Sequence, residues 1–105
     1  MVQLPVKIRH TIERYLHALK QHHIPIREAV LFGSYAKGNE MEWSDIDIAL
    51  VSEIFEGDRM ADKDKIRKIT LSISSELEVI PFPPSEFNEQ NPFAREILKT
   101  GIKLV

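Results

Sequence analysis

The chain has 105 residues, 43% of them hydrophobic and 8% aromatic, a formal net charge of −2 and no cysteine. That length and apolar content suit one domain spanning residues 1–105 with a modest core. The charge excludes a global positive field that would draw the chain to nucleic acid or anionic lipid, and the absent cysteine excludes disulfides and thiolate metal sites.

The N-terminus, Met-Val-Gln-Leu-Pro-Val-Lys, does not read as a signal peptide, and no apolar run reaches the length of a membrane span. We therefore expect a soluble, cytoplasmic protein with no membrane contact. Residues 5–23 read as an amphipathic helix, with Pro5 in its first turn and Ile8, Ile12, Leu16 and Leu19 as its apolar stripe. His10, His17, His22 and His23 lack ligand spacing and read as surface residues. Pro25 breaks the helix, and a first strand follows over Arg27 to Phe32. Gly33 then lets the chain turn tightly. Ser34 is placed to cap a short helix through Lys37, which Gly38 ends.

A second strand begins in Ser44-Asp45-Ile46-Asp47 and runs to Val51. Side chains on a strand alternate, so Asp45 and Asp47 share one face while Ile46, Ile48 and Leu50 share the other. A polar loop over 52–60 leads to a second helix, about Asp62 to Ser75, with Ile66, Ile69 and Ile73 on its apolar face. Lys63, Lys65, Arg67 and Lys68 lie elsewhere and read mainly as a solvated face. Strand three spans about Glu76 to Phe82, with Leu77 and Val79 on one face and Glu76, Glu78 and Ile80 on the other. Pro81, Pro83 and Pro84 are expected to end it. Residues 92–100 read as a short helix with Pro92 at its start and Gly101 as terminator, followed by a last short strand or apolar tail over 102–105.

Two features carry chemistry. Paired carboxylates at the head of an apolar strand repel one another, and a divalent cation between them removes that cost. Two metal ions about 4 Å apart are a common device for displacing a phosphoryl group. The Gly33-Ser34 turn offers free N–H groups at a helix start, which suit a phosphate. It is not a Walker A loop, because Asn39-Glu40 stands where Lys-Ser/Thr is required. A second Asp-x-Asp, Asp62-Lys63-Asp64, sits among lysines and reads as solvated surface.

The string Gly33-Ser34-Tyr35-Ala36-Lys37-Gly38, followed by Ser44-Asp45-Ile46-Asp47-Ile48-Ala49-Leu50, resembles the signature of the minimal nucleotidyltransferases. These are small members of the DNA polymerase β-like nucleotidyltransferase superfamily. The resemblance implies an α/β (α+β) fold: a twisted mixed sheet of three to four strands with helices packed mainly on one face. It implies nucleotide binding by Gly33, Ser34 and Lys37. It also implies a catalytic, metal-binding set of Asp45, Asp47 and a third acidic residue on strand three. Glu78, followed by Val79-Ile80-Pro81, matches that third position, with Glu76 as the alternative. The family usually has aspartate there. Two magnesium ions and ATP are the implied cofactors. Single-domain members resemble the antitoxin of HEPN/minimal-nucleotidyltransferase toxin–antitoxin pairs, which transfers AMP to a tyrosine of a HEPN-family toxin. The implied partner is such a toxin, with no direct nucleic-acid contact. Two other readings stay open: a non-catalytic antitoxin that masks its partner, and the catalytic subunit of a small-molecule nucleotidyltransferase.

Overall fold

A computed structural model of the chain describes residues 4–105; the first three residues of the N-terminal segment lie outside the described part. The elements are α1 (Val6–Gln21), β1 (Glu28–Phe32), α2 (Ser34–Lys37), β2 (Ile46–Val51), α3 (Arg59–Ile73), β3 (Leu77–Phe82), a 3-10 turn (Pro84–Glu86), α4 (Pro92–Thr100) and β4 (Ile102–Lys103). The strands form one mixed sheet in the order β3-β2-β1-β4. β1 pairs antiparallel with β2 and β4, and β2 pairs parallel with β3. A parallel pair needs a crossover, and α3 supplies it.

Alternation along the strands divides the interior in two. Ala29, Leu31, Ile46, Ile48, Leu50, Leu77 and Val79 face α1 and α3. Val30, Ala49, Val51, Ile80 and Phe82 face α4 and Phe87. The two long helices therefore share one face, as expected, and the nine-residue α4 covers part of the other. That uneven cover leaves one end of the second face open.

Local chemistry moves several boundaries. α1 buries Ile8, Ile12, Tyr15 and Leu19, with Leu16 only half-buried. The stripe is thus turned by one residue from the expected one. Tyr15 can be buried because its hydroxyl pairs with Thr70 Oγ1 at 2.8 Å, joining α1 to α3. Burial pushes the Tyr15 hydroxyl up to about 12, with the Thr70 hydrogen bond opposing the rise. α1 ends in a Schellman motif: Ile24 N–H donates to Leu19 O at 2.9 Å and His23 N–H to Lys20 O at 3.0 Å. His23 takes the left-handed position, with φ 60°.

α3 starts at Arg59 rather than near Asp62, because Asp58 caps it by accepting from the Ala61 N–H at 3.2 Å. Pro81 lies within β3 instead of ending it. The carbonyls of Glu76 and Phe82 accept from Ile46 N–H and Ser52 N–H, so even-numbered residues of this segment turn toward β2. Pro81 turns its missing donor to the free edge, where a proline is tolerated.

The acidic pair Asp62 and Asp64 does not read as expected. Asp64 is exposed and pairs with Arg67. Asp62 is 0% exposed, the only charged residue buried among those described. Its carboxylate accepts from Glu56 N–H at 3.0 Å and Gly57 N–H at 2.9 Å, and from Lys65 Nζ at 3.1 Å. Lys65 also donates to Ile54 O at 2.6 Å. The surface reading failed because the loop before α3 folds back over the helix's first turn. Burial works against the Asp62 charge, but the two N–H groups and the ammonium prevail and hold the carboxyl below its usual value.

Candidate active site

The open end of the second sheet face gathers the residues singled out in the sequence. Asp47 is the second residue of β2, half-buried, and its register partners are Phe32 on β1 and Glu78 on β3. Phe32, Asp47 and Glu78 thus form one row across three strands. Asp45 stands just before β2 and is exposed.

Gly33 follows Phe32 with φ 75° and ψ −151°, a backbone region that side chains disfavour. A β-carbon there would overlap the Asp47 carboxylate. Two independent constraints therefore require glycine: the turn and the close approach of Asp47. Gly33 itself occupies the cap position of α2, so Ser34 is the first helical residue rather than the cap. The positive φ admits the chain to the helix one residue early. The Ser34 side chain consequently makes no capping hydrogen bond. The first intrahelical donor is Lys37 N–H, to Gly33 O at 3.1 Å, so the N–H groups of Ser34, Tyr35 and Ala36 have no acceptor within the helix. Buried Tyr35 and Ala36 anchor this turn to the core. Lys37 is exposed on its last turn, and Gly38 closes it in the left-handed conformation.

The electrostatics of Asp47 are one-sided. Burial raises its carboxyl above the usual range, and the nearby charges of Asp45 and then Glu78 raise it further. Among the described residues, no side-chain hydrogen bond or ion pair engages the carboxylate of Asp45 or Asp47. Glu78 is half-exposed and accepts from Lys63 Nζ at 3.1 Å. The two candidates for the third carboxylate therefore differ in surroundings. Glu78 acts on Asp47, whereas Glu76 precedes β3 and acts on the Tyr35 hydroxyl.

Among the described residues no three Asp, Glu or His side chains already stand at metal-holding geometry. The donor chemistry nevertheless fits a hard divalent cation. The set is all carboxylate oxygen, and Asp45 and Asp47 lack a compensating positive charge. Glu78 is held at the edge of the set by Lys63. Sequence reasoning left Lys63 among the solvated bases, and no local signal marked its pairing with a residue 15 positions later. The loop that leads into α3 bears on the same bases. That loop follows Val51, at the opposite end of β2 from Asp45.

A mixed sheet carrying an Asp-x-Asp against a Gly-Ser turn, with a third carboxylate in register, defines a nucleotidyltransferase-type fold. The nucleotidyltransferase domain family profile matches residues 12–104, and the chain belongs to that family. No match is found among curated proteins. Among solved structures the chain is similar to a protein from Sulfolobus solfataricus assigned as a nucleotidyltransferase. The two share 18% identity, the match covers 98% of this chain and 89% of that one, and the TM-score is 0.55. That likeness bears on the fold. Among the described residues no helix is long and apolar enough to cross a membrane.

Proposed function

We propose that the protein transfers AMP from ATP to a hydroxyl, that of a tyrosine on a HEPN-type toxin, and so acts as its antitoxin. The observation that carries the reading is Asp47: a carboxylate raised by burial, crowded by Asp45 and Glu78, unpartnered, and pressed against the Gly33-Ser34 turn. The family supplies general nucleotidyl transfer. The resemblance of the Gly33-Ser34 and Asp45-Ile46-Asp47 strings to those of antitoxins of this class supports the partner.

Asp45, Asp47 and Glu78 would hold two magnesium ions. Bound magnesium would supply the positive charge that offsets the carboxylates, binds the triphosphate and favours the ionised, phenolate form of the acceptor. Ser34 and the free N–H groups after Gly33 orient the β- and γ-phosphates. Lys37, at the end of α2, adds a mobile positive charge for the same phosphates. The acceptor oxygen attacks the α-phosphorus, the bond from the α-phosphorus to the bridging oxygen breaks, and pyrophosphate leaves. The hydroxyl proton passes to solvent. Glu78 leaves Lys63 when it joins the other two carboxylates.

Label transfer tests the reading. The protein is incubated with magnesium, a co-purifying or gene-neighbour partner of HEPN type, and ATP labelled at the α- or the γ-phosphate. We expect α-label on the partner and its loss with Asp47→Ala. Transfer of γ-label alone would show a kinase and overturn the scheme. A stable complex with no transfer of either label would show an antitoxin that acts by masking.

A further inference from the structure

The segment between α2 and β2 ends at Asp45 in the candidate site and carries apolar surface. Trp43, the single tryptophan of the chain, is 76% exposed and Met41 is 55% exposed. The turn closes on itself: Met41 N–H donates to Ser44 Oγ at 2.8 Å, and Ser44 N–H donates to Met41 O at 3.0 Å. Trp43 is two residues before Asp45, so their α-carbons are within about 7 Å. A tryptophan left in water forgoes the largest apolar burial any side chain offers, and such residues anchor interfaces when a partner covers them.

The surroundings state what kind of partner fits. Glu40 and Glu42 flank Met41 on the same exposed turn. Glu76 adds to the acidic rim beyond the three carboxylates that would hold metal, and the exposed Lys37 stands against it. The Tyr35 hydroxyl is raised by burial first and then by Glu76 and Glu40. Both carboxylates, 36 positions apart, thus act on one hydroxyl. An acidic rim of this extent repels a phosphate backbone, whose binding depends on lysine and arginine contacts. It attracts a basic protein surface.

We propose that the Met41–Trp43 turn is the docking element for a protein acceptor whose contact patch is apolar at its centre and rich in lysine and arginine at its rim. The inference rests on the nucleotidyl-transfer reading of the adjoining carboxylates and adds the chemistry of the acceptor surface. Trp43 forms the anchor, Met41 the adaptable contact beside it, and Glu40 and Glu42 set the charge preference.

The single tryptophan makes the test direct. Its emission is followed while the full chain is titrated with three probes: a tyrosine peptide flanked by arginine, lysine and leucine; the same peptide with glutamate for each base; and a single-stranded oligoribonucleotide. The basic peptide should shift the emission to the blue and bind about ten-fold more tightly than the acidic one, with an advantage that shrinks as salt rises. The double variant Glu40→Lys, Glu42→Lys keeps the probe and should reverse the preference. With the HEPN-type protein as acceptor, Trp43→Ala should raise its KM about ten-fold and leave the KM for ATP unchanged. Equal binding of the acidic peptide or the oligoribonucleotide, or an unchanged acceptor KM, would overturn the proposal. Label transfer is read separately. Transfer that is indifferent to Trp43 sinks the docking surface alone, and docking without α-label transfer sinks the transfer chemistry alone.

Discussion

Asp47 and Asp62 each belong to an Asp-x-Asp string, and each is withdrawn from water, yet they stand in opposite states. Asp62 is fully buried and answered on every side by two backbone N–H groups and Lys65, which hold its carboxyl low. Asp47 is half-buried and answered by nothing but two further carboxylates; burial first, and then their charges, hold its carboxyl high. A compensated buried charge belongs to the architecture; an uncompensated one beside a glycine turn awaits a ligand. The distinction lies in the partners, not in the motif.

Substitution should break the comparison along that line. Asp47→Ala should abolish AMP transfer by about a thousand-fold or more, since several kcal/mol of transition-state charge stabilisation depend on the metal site. Its thermal midpoint should equal or exceed that of the wild type, because a repulsion has been removed. Asp62→Ala should do the reverse. Loss of the buried carboxylate that ties two loop N–H groups and Lys65 to the first turn of α3 costs about 1–3 kcal/mol. Thermal or urea unfolding should show that loss, while transfer per folded molecule at low temperature stays near wild type.

Acid should sharpen the same contrast. The Asp47 carboxyl is raised on folding, so its ionisation costs stability as pH climbs through and above about 4. Asp47→Asn should therefore be more stable than wild type at neutral pH, with the advantage vanishing below that range. The Asp62 carboxyl is lowered on folding, so its contribution is present above about pH 4 and lost as pH falls through its folded value. The deficit of Asp62→Asn should accordingly shrink in acid. Unfolding curves for both variants between neutral and strongly acidic pH check the two opposite slopes. Magnesium offers a parallel readout: it should raise the unfolding midpoint of the wild type and not that of Asp47→Ala. The smallest effect belongs to Asp64→Ala. Its ion pair with Arg67 is exposed on both sides, and such pairs contribute about half a kcal/mol or less, so the midpoint should barely move.

These contrasts also show what the sequence could disclose. The strand–Gly–Ser turn, the shared face of Asp45 and Asp47, and Glu78 on its strand were legible because each depends on residues a few positions apart. The long helices and the strands were legible through periodicity, and the mixed sheet with helices mainly on one side through the resemblance of the motifs to a known family. Tyr15 displaced Leu16 from the core because a hydroxyl on α3 receives it, which no count along α1 reveals. The burial of Asp62 depends on a loop folding back, and the hold of Lys63 on Glu78 depends on the crossover bringing helix and strand together. Ser34 lost its capping role to the positive φ of Gly33. In each case the deciding partner came from tertiary structure.

Pro81 has a consequence for the chain in company. β3 forms one border of the sheet, and its odd-numbered residues turn their backbone outward. Only Leu77 and Val79 can offer an N–H there, since Pro81 has none. The opposite border is β4, two residues long. A sheet with one interrupted border and one stub gives neighbouring strands little to extend, and short or proline-bearing borders of this kind protect against edge-to-edge aggregation. The molecule can thus keep a tryptophan in water beside its candidate site without its sheet becoming a template for self-association.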